Sequence, residues 1–262
     1  MPGPRSRLRS SLVIPLQRNR ERSGADSVLS GVAAALVLGM EVLVKDWRTV
    51  EFTRNGTSGG THRGRRRVHV RWLDADDVVV VGGVAVTSIA RTALDLALAG
   101  DFEQAICALD AALRMGVTDE DIEAAIGRLG RRRGTATLRS ALAEASGLSE
   151  SVGESRSRAL MLTWPEIPRP DLQREFFNEA GALEARVDFL WSGLVVGEFD
   201  GKGKQKKGFT SEERIKRDSL LMRRGLWPTH WEWLDCAEPD RLRHKLRDIL
   251  GPHGLLLDGG SR

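Results

Sequence analysis

Two short runs of the chain, Arg186-Val187-Asp188-Phe189-Leu190 and Leu194-Val195-Val196-Gly197-Glu198-Phe199-Asp200-Gly201-Lys202, carry acidic residues at strand-like spacing. Side chains alternate across a β-strand, so residues two apart share a face. In the first run Val187 and Phe189 are expected on one face, with Arg186 and Asp188 on the other. In the second, Val195, Gly197 and Phe199 oppose Glu198 and Asp200, and Lys202 joins the polar face if the strand stays extended past Gly201. With Trp191-Ser192-Gly193 as the link of a hairpin, Asp188 falls beside Val196 or Gly197. Glu198 is then its diagonal neighbour, about 7–8 Å away between Cα atoms. Carboxylates gathered beside one lysine repel and raise each other's pKa. A divalent cation removes that penalty, and oxygen ligands suit Mg²⁺ or Mn²⁺, which keep waters and contact phosphates. Such an ion acidifies a bound water and stabilises charge on an attacked phosphate, while a lysine orients the water or the developing charge. The chemistry implied is phosphodiester hydrolysis. The same pattern also describes the polar, solvent-facing side of an antiparallel hairpin.

The elements around these runs follow from periodicity. From Ser149 the pattern predicts a helix to Thr163, strands at Leu172–Phe177, Glu184–Leu190 and Leu194–Asp200, a helix over Thr210–Arg224, a strand over Leu226–Trp233 and a final helix over Pro239–Leu250. Such an order buries a mixed sheet between helices, an α/β (α+β) layer arrangement. Pro228 points to an edge strand or a bend. Trp231 and Trp233, two apart, are expected on one face of that strand and packed in or against the core. His230 has no partner at ligand spacing and reads as structural or surface.

Upstream lies a smaller domain of short strands followed by helices. Asp26 to Gly39 reads as a helix, Val50–Thr53 and Val68–Leu73 as strands, and Asn55–Gly60 as a flexible loop. Val78–Val81 and Val84–Thr87 flank Gly82-Gly83 as a hairpin. Helices are predicted over Ser88–Leu98, Phe102–Met115, Thr118–Leu129 and Thr135–Ala145, with a boundary near residue 148. The expected organisation is a basic, unstructured arm over 1–25, a first domain over 26–148 and a second over 149–262. This first domain offers no catalytic cluster: His62 and His69 flank a basic loop, and Arg91 and Asp95, four apart, are suited to pair on a helix.

Composition narrows the classes. The longest apolar run, Val32–Met40, is too short to cross a bilayer. The Arg-rich start is unlike a secretory signal. Two cysteines, Cys107 and Cys236, lie in different predicted domains with no zinc spacing, which suits free thiols in a reducing cytoplasm. The net charge of +4 is uneven, because residues 1–25 alone hold six arginines and one glutamate. Further basic clusters at His62–Arg67, Arg131–Arg133 and Lys202–Lys207 have the electrostatic character of phosphate binding, or of solvated surface. The helix over Thr210–Arg224 opens with the capping box Thr210-Ser211-Glu212-Glu213 and carries Arg214, Lys216 and Arg217, a set able to hold a DNA backbone or simply to face solvent.

Four segments together resemble a known family: Gly153-Glu154-Ser155, Arg186-Val187-Asp188-Phe189, Val196-Gly197-Glu198-Phe199-Asp200-Gly201, and Arg217 eight residues before Gly225. They are similar to the very-short-patch-repair-like endonucleases of the PD-(D/E)XK group, over about 100 residues. The resemblance implies a restriction-endonuclease-like fold, a divalent metal (Mg²⁺ or Mn²⁺) and DNA as substrate. Residue by residue it makes Asp188 the first motif carboxylate, Glu198 and Asp200 the second motif, and Glu154 a helix carboxylate that approaches the metal. Glu154 also fits a capping box from Ser151 and a pairing with Arg158. The family's usual Glu-x-Lys is here Glu198-Phe199-Asp200, so the lysine role falls to Lys202, in Asp200-Gly201-Lys202, or to Lys204, where relatives carry histidine or lysine.

A second resemblance rests on Val86-Thr87-Ser88-Ile89-Ala90-Arg91-Thr92-Ala93-Leu94-Asp95. It is similar to AbiEi-type antitoxins, transcriptional repressors of type IV toxin–antitoxin modules, over roughly Ser27 to Arg114. Those proteins place a winged helix before this region. Here only about 25 residues precede it, without a helix-turn-helix pattern, so the expectation is a relative lacking its winged helix. Two classes of function follow: a metal-dependent DNA endonuclease with an adaptor domain, or a non-catalytic DNA-binding regulator or antitoxin, with a cognate toxin as partner, on a degenerate nuclease fold. Neither calls for a membrane.

Overall fold

The computed structural model describes residues 27–56, 59–130, 132–201 and 211–258. They fall into two units, one ending at Gly147 and one beginning at Leu148. Helices and two mixed sheets, of six and four strands, make the chain a mixed α/β protein. No helix among the described residues is long and apolar enough to cross a membrane.

The N-terminal unit holds strands β1 (Val28–Ser30), β2 (Val50–Arg54), β3 (Gly60–Arg63), β4 (Arg66–Val70), β5 (Val78–Val81) and β6 (Val84–Thr87), in the order β3-β4-β2-β1-β6-β5. Its helices are α1 (Gly31–Leu38), α2 (Ile89–Ala99), α3 (Phe102–Arg114), α4 (Asp119–Leu129) and α5 (Thr135–Leu142). Two sequence expectations change here. The helix expected from Asp26 starts only at Gly31, because Val28–Ser30 is a central strand between β2 and β6. Pairing on both sides overrides local helix preference at Leu29, which is buried in the core with Phe52, Val68 and Val86. The basic run His62–Arg67 is a hairpin of β3 with β4 rather than a loop. Helices α2 and α3 present alanines to each other (Ala93, Ala97, Ala105, Ala108 and Ala112 are all buried), so their backbones come close. Asp101 and Thr118 start α3 and α4 with capping boxes.

The C-terminal unit runs α6 (Val152–Met161), β7 (Asp171–Phe177), β8 (Leu183–Trp191), β9 (Val195–Phe199), α7 (Ser211–Arg223), β10 (Trp227–Trp231), α8 (Trp233–Ala237) and α9 (Pro239–Leu250). The sheet order is β10-β9-β8-β7, with β10 parallel to β9 and the other neighbours antiparallel. The expected strand to Trp233 ends at Trp231; Trp233 opens the short helix α8, where Glu232 and Asp235 form a capping box. The two tryptophans therefore do not share a strand face. Pro228 sits on edge strand β10, where a missing N–H is tolerated.

The sheet is covered on both faces. On one, Leu160 and Met161 of α6, Cys236 of α8 and Leu242, Leu246 and Leu250 of α9 pack with Phe189, Trp191, Val195 and Phe199. On the other, Leu221 of α7 packs with Ala185, Val187, Leu190 and Val196. Helix α6 lies tight against the sheet because Gly153 has no side chain: a Cβ there would be 2.0 Å from the Phe199 ring. That approach fixes the start of α6, where Glu154 stands.

Candidate active site

Asp188 lies in the middle of β8, on the strand next to β7. The pairs Leu172↔Phe189 and Arg174↔Val187 set Gln173 across from it. Gln173 is a non-glycine residue with φ of +51°, a left-handed backbone that costs about 1 kcal/mol or more unless its surroundings impose it. Its side-chain amide donates to Glu154 Oε2 at 3.0 Å and reaches Asp188 Oδ1 at 3.4 Å. At this point β8 changes sides: Ala185 and Val187 pack toward Leu221, whereas Phe189 and Trp191 pack toward α6 and α9. Val187 and Phe189 therefore do not share a face, contrary to simple alternation. The irregularity is centred on the carboxylate and on the residue opposite it.

The hairpin register also differs from the expected one. Ser192 and Gly193 both take positive φ and Leu194 N–H donates to Trp191 C=O, so the turn is centred one residue later than Trp191-Ser192-Gly193 would set it. Trp191 then pairs with Val195, leaving Leu194 as an extra residue, and Leu190 and Phe189 pair with Val196 and Gly197. Continued by one step, this register sets Asp188 across from Glu198 rather than diagonal to it. The Asp188 carboxylate also accepts the backbone N–H of Phe199 at 2.9 Å.

Asp188 and Glu198 are 8% and 4% exposed, so neither belongs to a solvated hairpin face. Each carboxylate has a built environment. Glu198 accepts from Arg217 of α7 at 2.7 Å. Asp200, one residue past β9, meets Arg214 of α7 at 3.0 Å and His230 Nδ1 at 3.3 Å. His230 Nε2 meets Asp218 at 3.0 Å, so the ring bridges two carboxylates. Burial opposes the charge on His230, but the interactions with Asp200 and Asp218 outweigh it and raise its pKa above the ordinary histidine value. Glu154 turns back on its own helix start: it accepts from Ser151 Oγ at 2.8 Å and from Glu150 N–H at 2.7 Å, in addition to Gln173.

Asp188, Glu198, Asp200, Gln173, Arg214 and Arg217 line one open cleft of about 410 Å³. Glu154 adjoins it through Gln173 without lining it. Lys216 is exposed and does not line the cleft. Lys202 and Lys204, the lysine candidates, lie outside the described residues, as does Thr210 of the expected capping box. Gln173, Asp218 and the role of His230 were missed from sequence. Nothing in a period-two pattern marks a residue that breaks that pattern, and the Asp200–His230–Asp218 chain joins three separate elements.

Among the described residues, no group of three or more His, Cys, Asp or Glu side chains stands ready to hold a metal ion. The four carboxylates Glu154, Asp188, Glu198 and Asp200 thus do not converge as one ligand set; arginines, His230 and a helix cap divide them. The donor chemistry nevertheless fits a hard divalent cation. Asp188 and Glu198 offer buried oxygens from facing strands, and Mg²⁺ commonly takes only one or two carboxylates, completing its octahedron with water and phosphate oxygens. Asp200 and Glu154, tied to other partners, are suited to supporting that pair.

Comparisons with known proteins add no further assignment: no protein-family model, curated protein or solved structure matches the chain.

Proposed function

We propose that the C-terminal unit is a restriction-endonuclease-like, divalent-metal-dependent DNA endonuclease that hydrolyses phosphodiester bonds and acts in the cytoplasm. The observation that carries this reading is the pair of nearly inaccessible carboxylates, Asp188 and Glu198, on adjacent strands of a cleft whose other side carries Arg214 and Arg217. Buried acids are retained against a desolvation cost of several kcal/mol per ion, offset here in part by Arg217 on Glu198 and by the Phe199 N–H on Asp188. Asp188 and Glu198 would hold Mg²⁺ or Mn²⁺, which when bound supplies an acidified water and charge neutralisation at phosphorus. Arg217 and Arg214 are placed to exchange their carboxylate partners for backbone phosphates as DNA enters. Gln173 orients Asp188 and Glu154 through its amide. His230 stands at the edge of the cleft between Asp200 and Asp218. Lys202 or Lys204 is the remaining candidate for orienting the water.

The test is cleavage of supercoiled plasmid and of labelled duplex DNA with Mg²⁺, Mn²⁺ or EDTA. The expected outcome is metal-dependent cleavage that falls to background in Asp188→Asn and in Glu198→Gln, with circular dichroism unchanged. Full cleavage in both variants overturns the assignment. A second reading has an observation in its favour, because the ion pairs of Glu198 with Arg217 and of Asp200 with Arg214 neutralise the cleft without metal. It makes the chain a non-catalytic DNA-binding regulator or antitoxin with a toxin as partner. Metal-independent DNA binding without cleavage by the unaltered protein would favour it.

A further inference from the structure

The N-terminal unit contains a larger cleft, of about 640 Å³, between its sheet and the end of α2. This volume lies within the range of small-molecule sites. Its charged lining is unbalanced. Arg67, Arg71, Arg132 and Arg133 face two carboxylates, Glu51 and Asp95. Both carboxylates are already shared. Glu51 meets His69 at 3.0 Å and Arg67 at 3.7 Å, and Asp95 meets Arg71 and the enclosed Arg91, each at 3.1 Å. Arg132 donates to the Leu129 carbonyl at 3.0 Å, and neither it nor Arg133 has a carboxylate partner among the described residues. Burial first, and then the nearby Arg71, pull the Arg132 guanidinium below its ordinary pKa, against the opposing charge of Asp95. Gly134, the N-cap of α5, also lines the cleft and brings no side-chain cap to that helix start.

We propose that this cleft binds a small phosphorylated anion, with Arg71, Arg132 and Arg133 as its cationic donors. Two guanidinium groups without carboxylate partners beside a half-neutralised third suit forked hydrogen bonding to phosphate oxygens. A carboxylate or an apolar ligand would leave most of that charge unmatched. The phosphate could be that of a free metabolite of nucleotide size or that of a nucleic-acid backbone.

The experiment is calorimetric titration of inorganic pyrophosphate, and of ATP without metal, into the full chain, with a fluorescent duplex oligonucleotide in a parallel binding assay. The expected result is saturable one-site binding that Arg132→Ala/Arg133→Ala weakens by about tenfold or more. Arg132→Lys/Arg133→Lys restores part of it, and Asp188→Asn in the other unit leaves it unchanged. Pyrophosphate that competes with the duplex assigns the site to backbone phosphate. Pyrophosphate that binds without displacing the duplex assigns it to a free phosphorylated metabolite. If the Ala/Ala pair fails to fold, the exposed Arg133→Ala alone provides the comparison. No saturable binding of pyrophosphate or ATP, or binding that the arginine variants leave intact, overturns the proposal.

Discussion

Both units bury acids against arginines, but they leave the arginines in different surroundings. In the N-terminal unit, Arg91 has a fully enclosed side chain and spans Asp77 at 2.7 Å and Asp95 at 3.1 Å, while Arg128 and Arg71 reach the same two acids from the rim. Arg91 also donates to the Trp72 carbonyl and so ties α2 to the segment before β5. In the C-terminal unit, Glu198 is as deeply placed, yet its partner Arg217 has a side chain 28% exposed, and Arg214 on Asp200 is 46% exposed. Arg91, enclosed between its two acids, can serve the fold alone. A charge whose partner stands at the water's edge can pass to a cation while the arginine passes to a phosphate. The same residue types thus centre on an enclosed arginine in one unit and on arginines at the solvent edge in the other.

The variants that would break this contrast differ in size of effect. Asp77→Asn leaves Arg91 enclosed with half of its compensation, and a loss of about 3–5 kcal/mol is expected, read by urea denaturation followed by circular dichroism. A loss below about 1 kcal/mol would mean that the enclosed arginine does not serve the fold in this way. Gly153→Ala forces a methyl toward the Phe199 ring and displaces the start of α6; the cost expected is about 1–3 kcal/mol, with cleavage falling because Glu154 and Gln173 move together. Glu198→Gln, although it removes an equally buried charge, should cost no more than about 1 kcal/mol, because Arg217 can turn to solvent. A loss as large as that of Asp77→Asn would erase the distinction between the two networks. Arg217→Ala should lower the salt slope of DNA binding by about 1, the signature of one lost phosphate contact; an unchanged slope would remove Arg217 from the DNA-binding face.

The smallest expected effect is in acid. Asp235 of α8 is deeply placed, which opposes its charge, but Lys245 at 2.9 Å, the Glu232 N–H and Arg241 hold its carboxyl below the ordinary value. A depressed acid stabilises the fold at pH above its unfolded pKa of about 3.9, and that contribution is lost as pH falls through the folded value. In Asp235→Asn the stability of the C-terminal unit should therefore fall less steeply below about pH 4 than in the unaltered chain. Parallel acid profiles for the two proteins would remove Asp235 from the account.

Much of the fold was legible because it rests on local signals. The Gly82-Gly83 hairpin and the amphipathic helices α2 to α4 and α9 announce themselves within a few residues. Strand β1 did not, because Val-Leu-Ser runs straight into an alanine-rich helix and only its two neighbours make it a strand. Asp188, Glu198, Asp200, Arg214 and Arg217 were named from spacing and resemblance, and one cleft brings them together. Their relations were not. The register depended on the left-handed Ser192-Gly193 turn, and the face reversal at Asp188 depended on Gln173 opposite it, neither of which alternation encodes. The ion pairs of Arg214, Arg217 and His230 join α7 and β10 to β9, contacts that only the tertiary fold specifies.

The most direct test of the exchange idea is calorimetric titration of Mn²⁺, with a non-cleavable phosphorothioate duplex present, into the unaltered protein, Arg217→Ala and Asp188→Ala/Glu198→Ala. The account predicts one bound metal ion, held more tightly when Arg217 no longer competes for Glu198, and abolished in the double variant. Metal binding that persists in the double variant, or no metal binding in any of the three proteins, would contradict it.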